Sequence, residues 1–209
     1  MGKRMLIELG RVLACMCIVT SSVVAQPLKQ QGIADLCLEY LRSRYPTQDF
    51  EQDVLYVSVH RQAMYHMRQG RLMRVYPIAT AKAGLGAEDG SWRTPTGLHR
   101  VSEKFGGDVP PLGILKDRLF TGEFADPDFA GVDKDWITSR ILWLQGLEPG
   151  VNQGGHVDSH ARYIYIHGTA NERSVGTASS MGCVRMLNTD VIELYDAVPV
   201  GALVVILDN

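Results

Sequence analysis

The sequence lacks the motifs on which several common enzyme classes run. It has no Gly-x-Ser-x-Gly, so the nucleophile elbow of the serine hydrolases is missing. It has neither Cys-x-x-Cys nor His-Glu-x-x-His, which sets aside the usual dithiol redox and zinc-protease signatures. The glycines of Ala83–Gly90 fall at 84, 86 and 90 and no Lys-Ser/Thr pair follows, so a flexible loop is expected there rather than a nucleotide cradle. No run of Lys and Arg offers a grip on nucleic acid. There is also no internal repeat and no low-complexity tract.

What is present suffices for a folded domain. In 209 residues, 45% are hydrophobic and 21% charged, values that allow one domain with a sizeable core and a short attachment. Lys3, Arg4 and Arg11 precede the uncharged, mostly apolar stretch Val12–Val24, and short side chains at Val23-Val24-Ala25 lead to Gln26. Thirteen residues fall short of the roughly 20 of a membrane span, so residues 1–25 are expected to be a cleavable export signal that leaves no stable membrane anchor. Cys15 stands near the start of the apolar stretch rather than after it, which argues against lipid attachment. Removing Lys3, Arg4, Arg11 and Glu8 takes 21 basic and 23 acidic residues to 18 and 22, a net of −4. The mature chain is mildly acidic.

Cleavage would leave two of four cysteines, Cys37 and Cys183. In an oxidising compartment they either pair or Cys183 stays free for its thiolate chemistry, and spacing alone leaves both open.

Residues 26–49 read as a helical extension. Ile33, Leu36, Cys37, Tyr40 and Leu41 recur at helical spacing, with Cys37 as a small core residue and Pro46 as the stop. From residue 50 the period changes to two. Asp53–His60 and Arg71–Thr80 alternate and read as a hairpin turning at Arg68-Gln69-Gly70, and Leu98–Val101 reads as a short strand. Residues 103–160 are rich in Gly, Pro and Asp, broken by Ile137–Leu147, and are expected to form a lid or binding loop. Arg162–His167 alternates again. A helix capped by Asp190 and Glu193 and a last strand, Ala202–Leu207, close the chain. The fold class is mainly β, with one helix before the sheets and one near the end.

Two groupings carry possible chemistry. His156 and His160, with Asp158, His167 and Cys183 in reserve, are the best metal candidates. Two glycines precede them and a strand follows, so they belong on a loop rather than on one helix face, and no metal or other cofactor is expected. The second grouping is His167 and Cys183, with fifteen residues between them. A thiol is mostly protonated at neutral pH, and a neighbouring imidazole that takes the proton makes it a nucleophile. Gly168 and Gly182 are expected to let the chain turn sharply, and Gly182 and Cys183 to offer N–H groups to an oxyanion. Ser180 keeps the approach narrow. Arg185, two residues beyond the thiol, would point to the same side of an extended strand as a carboxylate clamp.

The string His167-Gly168-Thr169, then Ser179–Met186 (SSMGCVRM), resembles the signature of the L,D-transpeptidase catalytic-domain (YkuD-type) family. The likeness extends to the opening hairpin, to Thr94-Pro-Thr-Gly97 and to the final helix and strand, over about residues 50–208. It implies a compact β-sandwich or barrel-like catalytic domain over residues 50–209 and a cell-wall peptidoglycan stem peptide as substrate. It further implies Cys183 as nucleophile, His167 as base with the Gly168 carbonyl orienting its ring, and Gly182, Arg185, Ser180 and Thr169 around the substrate. The acceptor amine would come from a second stem peptide or from an outer-membrane lipoprotein lysine; water would make the same scaffold a carboxypeptidase. A wall-binding module without catalysis is the third reading. Met181 departs from the histidine or serine that the family often has before this glycine. Arg185, where other members have asparagine, resembles members from cells with an outer membrane, and so implies a periplasmic address.

Overall fold

The computed structural model describes residues 22–126 and 136–209. The chain runs α1 (Ser22–Arg44), β1 (Asp53–Ser58), β2 (Ala63–Arg68), β3 (Arg71–Ala79), β4 (Gly97–Phe105), β5 (Gly113–Lys116), β6 (Leu119–Phe124), β7 (Ile137–Gly146), β8 (Tyr165–Thr169), β9 (Val184–Met186), α2 (Asn188–Ala197) and β10 (Leu203–Leu207). The expected export signal lies outside the described residues except for its last four, which form the start of α1. Neither helix is long and apolar enough to cross a membrane.

Eight strands close on themselves in the order β4-β10-β1-β2-β3-β9-β8-β7, with β7 returning to β4. Closure removes the unpaired edges that an open sheet of this size would expose. β5 pairs with the outer end of β7 and carries β6 as a hairpin standing off the barrel. Most pairings are antiparallel, but β1–β10 and β8–β9 are parallel. The mainly β class with helices near both ends is therefore what the chain adopts.

Alternation sorts the strand residues to two faces. Leu55, Val57, Ile78, Leu142, Leu144, Ile166, Val184, Val204 and Ile206 point inward, where α2 adds Val191 and Leu194. At ~25 cal/mol per Å² of apolar surface buried, each such side chain contributes about 1.5–3 kcal/mol, so this core is the main source of stability. On the outer face of β1, β2 and β10, Val54, Tyr56, Tyr65 and Val205 pack against α1.

Several expectations change here. The opening hairpin is a three-stranded meander, because His60–Gln62 turn the chain before β2 and residues 69–70 turn it again. α1 buries Ala34, Cys37, Leu38 and Leu41, whereas Leu36 and Tyr40 stay exposed. The two stripes share Cys37 and Leu41; the one with the smaller residues faces the stacked rings of Tyr56 and Tyr65, which leave little room for bulk. Residues 103–160 hold the end of β4 and all of β5, β6 and β7, so the expected lid is crossed by strands of the sheet. β4 itself runs to Phe105 because its partner β7 is ten residues long.

α2 has no side-chain cap at Leu187. Asp190 lies inside its first turn, and Glu193 reaches Arg74 and Tyr76 instead of capping. The anchoring role falls to Asn188. Its Oδ1 accepts from Thr138 (2.7 Å) and Ser139 (2.6 Å), and its Nδ2 donates to Thr169 O (2.9 Å) and Glu172 (2.8 Å). That buried amide ties α2 to β7 and to β8, the strand that carries His167.

Candidate active site

β8 and β9 lie parallel with Ile166 opposite Val184 and His167 opposite Arg185. Ile166 and Val184 point into the core, so Tyr165, His167 and, just before β9, Cys183 face outward together. Parallel pairing of two segments far apart in the chain therefore places imidazole and thiol on one face, as diagonal neighbours across two strands.

His167 is buried, and its Nδ1 lies 2.7 Å from the carbonyl oxygen of Gly168. A carbonyl can only accept, so Nδ1 carries the hydrogen and Nε2 is the basic nitrogen of the neutral ring. Gly168 does not turn the chain. It sits in the extended strand, and a Cβ there would stand 2.7 Å from both Asn188 Oδ1 and Thr138 O. Its glycine is required by close packing.

The Cys183 sulfur is held by backbone. The thiol donates to Tyr163 O and the N–H of Tyr165 donates to Sγ, each at 3.4 Å. Together the two contacts fix where the sulfur sits. Cys183 also packs beside Trp143, Tyr165, Leu115 and Ile141, a small apolar cluster on the outer face. Cys183 and Cys37 are both free thiols. Cys37 is buried under α1, and burial pushes its pKa up to about 12, so it remains a neutral thiol.

The turn before the thiol is over-determined. Gly182 has φ 129°, which a side-chain-bearing residue adopts only under strain. Its N–H donates to Ser180 Oγ at 3.3 Å, so the group expected at an oxyanion is turned inward. Ser180 is buried and donates its hydroxyl hydrogen to Cys183 O at 2.6 Å. Thr94, which the sequence marked only as part of Thr94-Pro-Thr-Gly97, donates to Gly182 O at 2.9 Å and accepts from Ala81 N–H at 3.0 Å. Sequence offered no reason to connect residues 94 and 182. Thr169 is buried with Oγ1 accepting from Asn171 N–H at 3.2 Å. Arg185 is buried too and donates to Ser179 O at 3.1 Å. All three lie within the framework of the site rather than on its open surface.

Of the two loop histidines, only His160 reaches the cluster beside Cys183, through Trp143. His156 is in a short 3-10 turn and His160 stacks on Trp143 at 3.9 Å. Among the described residues no three His, Cys, Asp or Glu side chains converge to hold a metal ion.

A closed, mostly antiparallel barrel thus carries a thiol and an oriented imidazole on one face. Comparison with known proteins gives the family: the model of the L,D-transpeptidase catalytic domain (YkuD) matches residues 52–206, and the chain belongs to that family. It is similar to YqjB of Bacillus subtilis, 50% identical over 48 residues, which cover 23% of this chain and 27% of that protein. It is also similar to YkuD of Bacillus subtilis, 49% identical over 59 residues, or 28% and 36% of the two chains. The chain thus spans between a quarter and about a third of these curated relatives. Among solved structures, the L,D-transpeptidase of Xylanimonas cellulosilytica aligns with a TM-score of 0.46 and 17% identity, covering 82% of this chain and 69% of that one.

Proposed function

We propose that the protein is a peptidoglycan L,D-transpeptidase that works through a thioacyl-enzyme on Cys183. The observation that carries this reading is the shared outer face of His167 and Cys183, with Nδ1 of the imidazole fixed by Gly168 O.

His167 Nε2 takes the thiol proton, and the thiolate attacks the carbonyl at the L-centre of the third stem residue, a diamino acid. The bond to the D-alanine at position four breaks as that amine takes the proton back from His167, leaving a thioester. The Gly168 carbonyl stands where a triad carboxylate would, orienting the ring and stabilising its charged form. The donor to the oxyanion is the N–H of Cys183; Thr94 holds Gly182 O, and peptide planarity turns that N–H the opposite way. An acceptor amine, from a second stem peptide or a lipoprotein lysine, attacks the thioester and gives its proton to His167, and the sulfur leaves as thiolate, which that proton can rejoin. The basic, then apolar N-terminal stretch supports export to the periplasm, where such substrates lie.

The test is the mass of the intact protein after exposure to a carbapenem or to a stem tetrapeptide. One acyl group on Cys183 is expected, absent from Cys183→Ala; an adduct that survives in Cys183→Ala sinks the nucleophile assignment. Products from defined muropeptides, with and without an amine acceptor, separate transfer from hydrolysis. A protein that retains peptides uncleaved would be a binding module.

A further inference from the structure

The tip of the β5–β6 hairpin lays a cation over the aromatic cluster in which Cys183 packs. Its two central residues, Asp117 and Arg118, have φ 50° and 67°. Two-residue hairpins of the primed kind need such angles and usually supply glycine or asparagine. Here Asp117 takes the first, as aspartate often does, and Arg118 takes the second, where glycine is usual. The result is a guanidinium folded back over the outer aromatic cluster. Its central carbon stands 4.8 Å from the ring centroid of Trp143, 5.7 Å from Tyr163 and 5.9 Å from Phe105. Nη1 donates to the Tyr165 hydroxyl at 3.2 Å.

Tyr163 and Tyr165 are the two residues whose backbone groups hold Cys183 Sγ. The charge therefore rests on the side chains of the two residues whose backbone holds the thiol. Among the described residues, no carboxylate lies within ion-pair distance of Arg118. Ring faces orient a guanidinium without neutralising it, and one bond to a phenol leaves most of its five N–H donors for a ligand. Arg185, the clamp that sequence suggested, is buried and turned to Ser179.

We propose that Arg118 receives a free carboxylate of the acyl-donor peptide and fixes it across the Trp143 face, so that the scissile carbonyl comes to Cys183. The inference rests on the peptidoglycan reading above. A donor tetrapeptide offers two such groups, the terminal D-alanine carboxylate and the second carboxylate of a diaminopimelate-type third residue. A paired, planar contact with either is what a guanidinium favours.

The test uses the full chain as Cys183→Ala, which can bind but not acylate, with and without Arg118→Met. Calorimetric titration compares the free tetrapeptide with two analogues, each with one of the two carboxylates converted to a carboxamide. Arg118→Met is expected to weaken the free peptide about tenfold and to leave unchanged the analogue whose amidated group is the one that Arg118 holds. That analogue names the carboxylate. Equal effects on all three peptides, or no effect on any, overturn the proposal. Binding to Cys183→Ala by no peptide overturns this proposal and the peptidoglycan reading together. Binding without turnover in the wild-type chain overturns only the transpeptidase chemistry. Unfolding curves of both variants should nearly coincide, since Arg118 is half-buried at a hairpin tip and the methionine keeps an apolar stem on the same rings.

Discussion

Thr94 and Gly182, 88 residues apart, are joined by a 2.9 Å hydrogen bond from the threonine hydroxyl to the glycine carbonyl. The bond fixes the peptide plane that leads into Cys183. Thr94→Val keeps the shape but strands the buried Gly182 carbonyl and Ala81 N–H. It should destabilise the fold by about 1–3 kcal/mol, measured by urea unfolding. Acylation by a carbapenem should slow by about tenfold or more if that plane positions an oxyanion donor. Thr94→Ser should recover most of both; an acylation rate unchanged in Thr94→Val removes Thr94 from the chemistry.

Gly168→Ala tests the close approach of β8 to α2. The added methyl meets Asn188 Oδ1 and Thr138 O at 2.7 Å, and both belong to the buried junction. A loss of about 1–3 kcal/mol in unfolding free energy is expected. Because the Gly168 carbonyl also orients His167, acylation should fall in protein that is still folded at the assay temperature. A variant as stable as wild type would show that the junction yields.

His99 makes stability depend on pH. It is fully buried between Gly97 O and Ser159 Oγ, each 3.0 Å from a ring nitrogen, and desolvation lowers its pKa to about 4. The unfolded chain takes up that proton below about pH 6.5, the folded chain only below about 4. Stability from this group is full above pH 6.5 and is lost as pH falls towards 4, by up to about 3 kcal/mol. Unfolding free energies of wild type and His99→Gln, measured from pH 7 to pH 4, should converge at low pH. Parallel curves would refute the assignment.

The two described cysteines should separate in a labelling experiment. Folded protein treated with iodoacetamide at pH 7.5 and digested should carry the label on Cys183 and spare Cys37, whose thiol is buried and held neutral. Denaturant should expose both. Equal labelling of Cys37 in the folded state would show that α1 opens.

The mainly β class with its two helices, the alternation of the strands and the family were legible in the sequence because each rests on local spacing or on a short contiguous motif. Its errors came where two local solutions compete. Two helical stripes share Cys37 and Leu41, and only packing on Tyr56 and Tyr65 selects between them. Gly168 and Arg185 likewise took their roles from neighbours, Asn188 and Thr138 in one case and Ser179 in the other, that no spacing rule foretells.

By itself, then, the sequence determined which groups are available: one thiol and one histidine in a family motif, glycines around both, and alternating strands to carry them. Tertiary structure decided which of those groups meet. Parallel pairing of β8 with β9 sets His167 and Cys183 on one face, the bridge of Ala81 to Ser180 brings Thr94 to Gly182, and the β5–β6 turn lays Arg118 over the Trp143 and Tyr163 rings. Contacts of that range depend on register and closure of the whole sheet, which are fixed only when the distant strands pack on a common core.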